Sequence, residues 1–153
     1  MTDKPDTLLC FSYGSNMSTA YLRETCPGGE PVMRAELPNF RIEFRRYSND
    51  LRGGLSTIMP APGEIVPGVV FRVPRIEIEI LDLLEDVDKG LYRRETYLVL
   101  SAAGLWEQAE LYQVARPRGP FAPSPRYVGW MIEGAQEHGL DPTYIDGLKA
   151  LLS

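Results

Sequence analysis

The stretch CFSYGSNMS, residues 10–18, passes from apolar residues into small polar ones. Residues 8–13 have the continuous apolar character of a buried strand. Ser18 is a suitable N-cap for a short helix, which the Pro-Gly-Gly sequence at residues 27–29 would end. The stretch therefore predicts a strand, a tight turn and a helix in direct succession.

The turn itself, residues 13–16, allows two interpretations. Gly14 at the end of a strand lets the backbone turn sharply and approach a ligand closely, and successive N–H groups before a helix can converge on an anion. A carboxylate or an oxyanion would fit there. The same residues also suit an ordinary turn in which Ser15 and Asn16 hydrogen-bond only their own backbone.

Length and composition indicate one compact domain, residues 1–153, because 153 residues with 44% hydrophobic content can bury a substantial core. No run approaches the roughly 20 apolar residues of a membrane helix. The polar start at residues 3–6 does not resemble a secretory leader. We therefore expect a cytoplasmic protein without a membrane partner.

Charge and cysteine content exclude further classes. The net charge of −5 argues against nucleic acid as a partner, because binding phosphate requires a concentrated basic face. Cys10 and Cys26 lack the spacing of metal ligands, and the chain has a single histidine. We expect structural or incidental thiols and no metal site.

Strand patterns recur along the rest of the chain. Residues 32–37 and 40–47 are separated by Pro38 and Asn39, and a first hairpin is predicted from residues 55–59 and 65–73 around residues 60–63. A second hairpin joins residues 92–100 and 106–114 around residues 102–104. About six strands interrupted irregularly by helices favour an α+β fold whose sheet could close into a barrel.

Three further helices are predicted. Residues 76–80 alternate as a strand would, yet Pro74 suits a helix start, and Ile76, Ile80 and Leu84 recur at helical spacing. Ser124 and Pro125 open an amphipathic helix that Gly139 ends. Asp141 and Pro142 repeat this opening for a last helix.

Acidic residues crowd into LDLLEDVDKGLYRRETY, residues 81–97. Most carboxylates at a helix end are solvated. Glu85 follows two leucines and could point into a pocket, where desolvation would raise its proton affinity and suit it to acid–base chemistry. Glu95 is an alternative, although it could equally be the cross-strand partner of an arginine.

Five short motifs occur in the order seen in the γ-glutamylcyclotransferase family, of the AIG2-like superfamily, which the chain resembles over nearly its whole length. They are FSYGSNM at residues 11–17, PGVVF at 67–71, LD at 81–82 with EDV at 85–87, GLY at 90–92, and PSPRY at 123–127. The resemblance implies a small mixed β-barrel with flanking helices. It also implies an acyltransferase that cyclises a γ-glutamyl group to 5-oxoproline and releases the attached amine, without a metal or an organic cofactor.

The resemblance also assigns roles to residues. It places the catalytic glutamate at Glu85. It places substrate contacts at Phe11, Ser12, Tyr13, Gly14, Ser15, Asn16, Tyr92 and Tyr127. The sequence departs from the family pattern after the glutamate, where the family often has glycine and this chain has Asp86. A second carboxylate there would either raise the proton affinity of the base or add a constraint on the released group.

The implied chemistry explains the choice of a carboxylate. The α-amino group of the substrate must attack its own γ-carbonyl carbon, but an α-amino group loses its proton only near pH 8. Glu85 would take this proton and later give one to the departing nitrogen. A module that only binds a γ-glutamyl metabolite is the alternative function. The group attached to the γ-glutamyl unit stays open, as does the oligomeric state, with a homodimer among the alternatives.

Overall fold

The computed structural model describes residues 6–153, so most of the polar start at residues 3–6 lies outside the described residues. Its elements follow the chain as β1 (Thr7–Ser12), a 3₁₀ turn (Ser15–Met17), α1 (Thr19–Thr25), β2 (Glu30–Ser48), β3 (Gly53–Pro74), α2 (Arg75–Leu84), β4 (Tyr92–Ser101), β5 (Trp106–Val114), α3 (Pro125–Glu137) and α4 (Pro142–Ala150). Within this range the five strands close into a barrel in the order β1-β3-β2-β4-β5.

The barrel is mixed. β1 pairs antiparallel with β3, and it closes the barrel through a parallel pairing with β5 at Cys10 and Glu110. Successive residues of β1 point to opposite faces, as in any strand. Phe11 packs in a core with Val70 and Leu111, and Cys10 packs in a second core with helix residues such as Met131. This confirms the predicted α+β barrel with flanking helices.

The long hairpin of β2 and β3 differs from the predicted pattern. Pro38 and Asn39 do not separate two strands, because β2 continues through them with a shift of pairing register. Asn39 adopts a φ of 69° and its side chain accepts a hydrogen bond from the Gly63 N–H at 3.0 Å. Asparagine tolerates this left-handed conformation, so a β-bulge absorbs the interruption.

Residues 60–63 likewise lie inside β3 and do not turn a hairpin, because pairing with β2 resumes on both sides of them. The turn of this hairpin lies between β2 and β3, at residues 49–52. Each interrupted run is therefore one strand, and the barrel has five strands where the sequence indicated about six. The second hairpin, between β4 and β5, is confirmed.

The helix α2 forms where its apolar spacing predicted it. The φ of −54° at Pro74 is preset by the proline ring and suits the start of a helix. Ile78 and Leu81 face the core, whereas Ile76, Ile80 and Leu84, whose spacing predicted the helix, are all exposed. The helix therefore packs through only one narrow stripe, and its last turn ends at the site described below.

The helix α3 holds the turn after β1 in place. Ser124 caps α3 by accepting a hydrogen bond from the Tyr127 N–H. At Gly134, a Cβ atom would lie 2.3 Å from the carbonyl carbon of Met17, so only glycine permits this close packing. Ser18 caps α1 and donates a hydrogen bond of 2.6 Å to Glu133 on α3. None of the helices within residues 6–153 is both long and apolar enough to cross a membrane.

Candidate active site

One cavity of ≈ 100 Å³ is lined by every residue that the sequence assigned to the site. It lies where the turn after β1 meets the end of α2. The assigned residues around it are Phe11, Ser12, Tyr13, Gly14, Ser15, Asn16, Glu85, Tyr92 and Tyr127, and they are joined by Tyr21, Leu51, Leu55, Ser56 and Tyr112. Residues far apart in sequence thus line one cavity.

Glu85 occupies the C-terminal end of α2, and its N–H donates to the Leu81 carbonyl at 2.9 Å. This end of the helix is tied to the barrel through Asp82. The Asp82 carboxylate accepts hydrogen bonds from Arg94 Nε on β4 at 2.9 Å and from the Tyr112 hydroxyl on β5 at 2.6 Å. These contacts fix the helix end, and with it the backbone that carries Glu85.

The carboxyl group of Glu85 is desolvated although the residue as a whole keeps some contact with solvent. Burial raises the pKa of Glu85 from 4.5 to about 7, while Arg46 opposes the shift and Asp86 adds to it. A carboxyl group with a pKa near 7 can both accept and release a proton at neutral pH.

The backbone at Gly14 approaches two hydroxyl groups closely. A Cβ atom on Gly14 would lie 2.3 Å from Tyr127 Oη and 2.8 Å from Ser56 Oγ, so this position requires glycine. These two hydroxyls are hydrogen-bonded to each other at 2.8 Å. Within residues 6–153, neither the Gly14 N–H nor the Asn16 N–H donates to another backbone group. The turn thus has backbone donors left for a ligand.

The tyrosines of the cavity stay neutral at physiological pH. Burial raises the pKa of Tyr13, Tyr92 and Tyr127, and the nearby Glu85 adds to each shift. The Tyr13 hydroxyl already donates to the Tyr112 carbonyl at 2.6 Å. Neutral hydroxyls remain hydrogen-bond donors, so the cavity combines one ionisable carboxyl with a neutral polar lining.

The structure separates the two glutamates that the pattern could not distinguish. Glu95 does not line the cavity, and 47% of its side chain is exposed. It forms an ion pair of 3.5 Å with Arg93 on its own strand, and across the strands it accepts a hydrogen bond from Gln113 at 2.9 Å. The expected cross-strand arginine is therefore replaced by a glutamine.

Asp86 continues the turn after Glu85 with a φ of 56°, which is uncommon for a residue other than glycine. Its carboxylate lies 3.7 Å from Arg46 and 3.6 Å from Lys89. It therefore contributes its charge to the Glu85 environment from outside the cavity lining.

Sequence reasoning missed several lining residues. Ser56 is 2% exposed and lies in an apolar part of β3, so a polar residue in a buried run was the available signal. Tyr21 stacks on Trp130, with ring centres 4.0 Å apart. Tyr112 gave no local signal, because its position at the cavity depends on how β5 closes the barrel.

The site thus places a buried carboxyl group with a pKa of about 7 beside a glycine turn in a closed mixed barrel. Comparison with known proteins identifies the class of protein. The sequence model of the AIG2-like family matches residues 65–148. Gamma-glutamylcyclotransferases of mouse and human are 31% and 30% identical to the chain over 150 residues, which is 95% of this chain and 79% of each relative.

Solved structures agree with these sequence matches. A human protein described as uncharacterized superposes with a TM-score of 0.90 at 30% identity, covering 95% of this chain and 88% of that one. A structure titled gamma-glutamyl cyclotransferase gives 0.89 at 30% identity, covering 94% and 87%. The chain belongs to the γ-glutamylcyclotransferase family of AIG2-like enzymes, as the motifs predicted.

Proposed function

We propose that the protein converts a γ-glutamyl amino acid, peptide or amine into 5-oxoproline and the free amine, with Glu85 as general base and then general acid. The observation that carries the proposal is the buried carboxyl of Glu85, whose pKa is raised to about 7 in the cavity formed by the turn after β1. Its relatives bear the name of this activity. We also propose that its partners are small molecules and not nucleic acids.

The reaction requires a proton acceptor first. Glu85 takes a proton from the substrate's α-ammonium group, and the freed nitrogen attacks the γ-carbonyl carbon to close a five-membered ring. The bond to the leaving nitrogen then breaks as Glu85 returns the proton to that nitrogen. The ring nitrogen also loses its second proton, which the released amine takes up, so the products are the neutral lactam and an ammonium group. One carboxyl group serves both steps because its pKa lies near the working pH. The substrate supplies the nucleophile, so no catalytic serine or cysteine is needed.

Ring closure also requires the flexible γ-glutamyl chain to fold back on itself. Holding the amine against the carbonyl carbon removes much of the entropic cost from the barrier. The backbone N–H groups of Gly14 and Asn16 are suited to hold the α-carboxylate or the developing oxyanion. This assignment is favoured because none of the residues lining the cavity is a lysine or an arginine.

The hydroxyl pair of Ser56 and Tyr127 would orient the substrate. Tyr127 lies against Gly14, and Glu85 is close enough to raise its pKa further. A neutral tyrosine at this position can donate to the γ-carbonyl oxygen as negative charge develops there. The rigid α3 and β3 elements that carry these hydroxyls would keep the geometry constant during the reaction.

The direct test is to incubate the purified protein with a panel of γ-glutamyl dipeptides and γ-glutamyl amines and to measure 5-oxoproline by liquid chromatography. Glu85→Gln keeps the size of the side chain but cannot accept the proton, so we expect its rate to fall by ~10²–10⁴-fold. Glu95→Gln makes the same chemical change on the surface and should retain the rate of the unmodified protein.

The alternative function, binding without turnover, predicts a different result. Calorimetry would then show tight binding of a γ-glutamyl compound while no 5-oxoproline appears, and Glu85→Gln would leave the affinity unchanged. That combination would contradict the proposed reaction while keeping the cavity as a ligand site.

A further inference from the structure

A second cavity of ≈ 280 Å³ is strongly basic. Its cationic lining side chains are Arg45, Arg46, Lys89, Arg116 and Arg118, and none of its lining residues is acidic. The cavity formed by these residues is called the basic cavity below. Such a concentration of positive charge is unexpected in a chain with a net charge of −5.

A side chain of the basic cavity packs against a residue of the Glu85 cavity. The guanidinium carbon of Arg46 lies 5.2 Å from the centre of the Tyr92 ring, and Tyr92 lines the Glu85 cavity. Leu91, the preceding residue, lines the basic cavity. Arg46 also lies 3.7 Å from the carboxylate of Asp86, the residue after Glu85. A ligand that extends from the Glu85 cavity past Tyr92 would therefore meet Arg46 first.

Part of this positive charge has no internal counter-charge. Arg45 is paired with Glu43 at 2.6 Å, and Arg46 and Lys89 share the carboxylate of Asp86. Among the ion pairs formed within residues 6–153, none includes Arg116 or Arg118. Two guanidinium groups are thus available to an anion from outside.

The segment that carries these two arginines is fixed to the barrel. The Arg118 N–H donates to the Arg45 carbonyl at 2.9 Å, and the Ala115 N–H donates to the Leu91 carbonyl at 3.0 Å. An exposed group of charges is by itself usually only solvated. Here the charges line a concave space, and one of them, Arg46, lies over Tyr92 of the Glu85 cavity. Arginine also forms paired hydrogen bonds with carboxylates.

We propose that the basic cavity binds an extra carboxylate on the group that the γ-glutamyl unit releases. Resting on the proposed function, this assigns as preferred substrates the γ-glutamyl compounds with an acidic leaving group, for example γ-glutamyl-glutamate. Arg46 contacts the near part of the leaving group, and Arg116 and Arg118 bind its distal carboxylate. Neutral leaving groups and simple amines forgo this last contact.

Two isosteric dipeptides test the proposal. γ-Glutamyl-glutamate and γ-glutamyl-glutamine differ in one terminal carboxylate against an amide, so a ratio of their kcat/KM values isolates the charge. We expect a preference on the order of tenfold for the acidic dipeptide at low salt, since each exposed ion pair contributes a factor of a few. Because such contacts are screened, the preference should nearly disappear in about 0.5 M NaCl.

Substitutions show whether Arg116 and Arg118 cause the preference for the acidic dipeptide. In the double variant Arg116→Gln/Arg118→Gln, kcat/KM for γ-glutamyl-glutamate should fall to the value for γ-glutamyl-glutamine, and the latter should stay unchanged. Arg75→Gln removes an exposed arginine at the start of α2, outside the basic cavity, and should retain the preference. Equal kcat/KM values for both dipeptides in the unmodified protein, or a preference that survives the double substitution, would overturn the proposal.

A binding measurement separates this inference from the proposed reaction. Calorimetry on Glu85→Gln gives the affinities of both dipeptides without turnover. Tighter binding of γ-glutamyl-glutamate, lost when Arg116→Gln and Arg118→Gln are added, supports carboxylate binding in the basic cavity even if the unmodified protein forms no 5-oxoproline. Equal affinities overturn it. Inorganic phosphate should weaken binding of the acidic dipeptide selectively. If phosphate binds without affecting either dipeptide, the cavity is a separate anion site and the assignment to the leaving group is wrong.

Discussion

Replacing Glu85 by glutamine should change how the stability of the protein depends on pH. Burial raises the pKa of the folded state's Glu85 from 4.5 to about 7, whereas the unfolded chain keeps the ordinary value. Between these values the folded state holds a proton that the unfolded state has lost. The stability supplied by the neutral carboxyl is complete below pH 4.5 and is lost as the pH rises through about 7.

The size of the effect follows from the shift. One pKa unit corresponds to about 1.4 kcal/mol, so the full shift is worth ~3 kcal/mol, of which ~2.5 kcal/mol falls between about pH 5 and pH 8. Glu85→Gln has no proton to lose. The free energy of unfolding of the unmodified protein minus that of Glu85→Gln should therefore decrease by this amount over the interval.

Urea unfolding followed by circular dichroism at about pH 5, 6, 7 and 8 measures this difference. Glu95→Gln serves as the matched control, because it removes an exposed carboxyl and should give a pH dependence parallel to that of the unmodified protein. Parallel curves for Glu85→Gln as well would show that Glu85 titrates normally, and the reasoning from its burial would be refuted.

Three further experiments, with five substitutions, test the geometry around the turn after β1. Gly14→Ala would force a methyl group against the hydroxyls of Tyr127 and Ser56. We expect more than ~10²-fold loss of 5-oxoproline formation and ~1–3 kcal/mol lower stability in urea unfolding. Near-normal activity would refute the close approach of the Gly14 backbone to these hydroxyls. Tyr127→Phe and Ser56→Ala each remove one partner of a buried hydrogen bond, so a double-mutant cycle on stability should give a coupling of ~1 kcal/mol, and a coupling near zero would contradict that bond. Gly134→Ala should lower the melting temperature, because the added methyl group clashes with the backbone of Met17. Gly129→Ala on the same helix is the control: its methyl group meets no atom within 4 Å and should raise stability by ~0.5–1 kcal/mol. Equal effects of these two changes would argue against close packing of α3 on the turn.

Local signals in the sequence predicted much of the fold because they act over a few residues. The capping residues Ser18 and Ser124 begin helices where they were expected to. The helix α2 was predicted from spacing although residues 76–80 alternate like a strand. Such elements carry their own start and stop signals, so one sequence is enough to place them.

The interruptions in β2 and β3 show where local signals fail. Pro38 and Asn39 are typical of a turn, but pairing with β3 on both sides holds β2 extended, and a bulge absorbs the extra residue. Tertiary pairing overrides a local preference when many ladder hydrogen bonds depend on it. This cannot be read from the sequence alone, because the partner strand is not known in advance.

In the candidate site, too, some residues have local sequence signals and others are placed only by the tertiary fold. Gly14 and Glu85 carry motif signals and were named from the sequence. Ser56, Tyr21 and Tyr112 reach the cavity only because the barrel closes and because α1 lies beside it. The residue pattern left Glu85 and Glu95 open, and the family resemblance pointed to Glu85. The burial that distinguishes Glu85 from Glu95 depends on the way Asp82 holds the end of α2 against the barrel.

The pH dependence of kcat/KM for 5-oxoproline formation tests the central claim most directly. Below pH 7.7 the substrate amine stays mostly protonated, so the profile reports the base in the free enzyme. A base at Glu85 predicts that kcat/KM rises about tenfold per pH unit from about pH 5 and levels off near the pKa of about 7, and that Glu85→Gln loses this rise. A flat profile, or one with a midpoint near 4.5, would contradict the buried glutamate as the catalytic base.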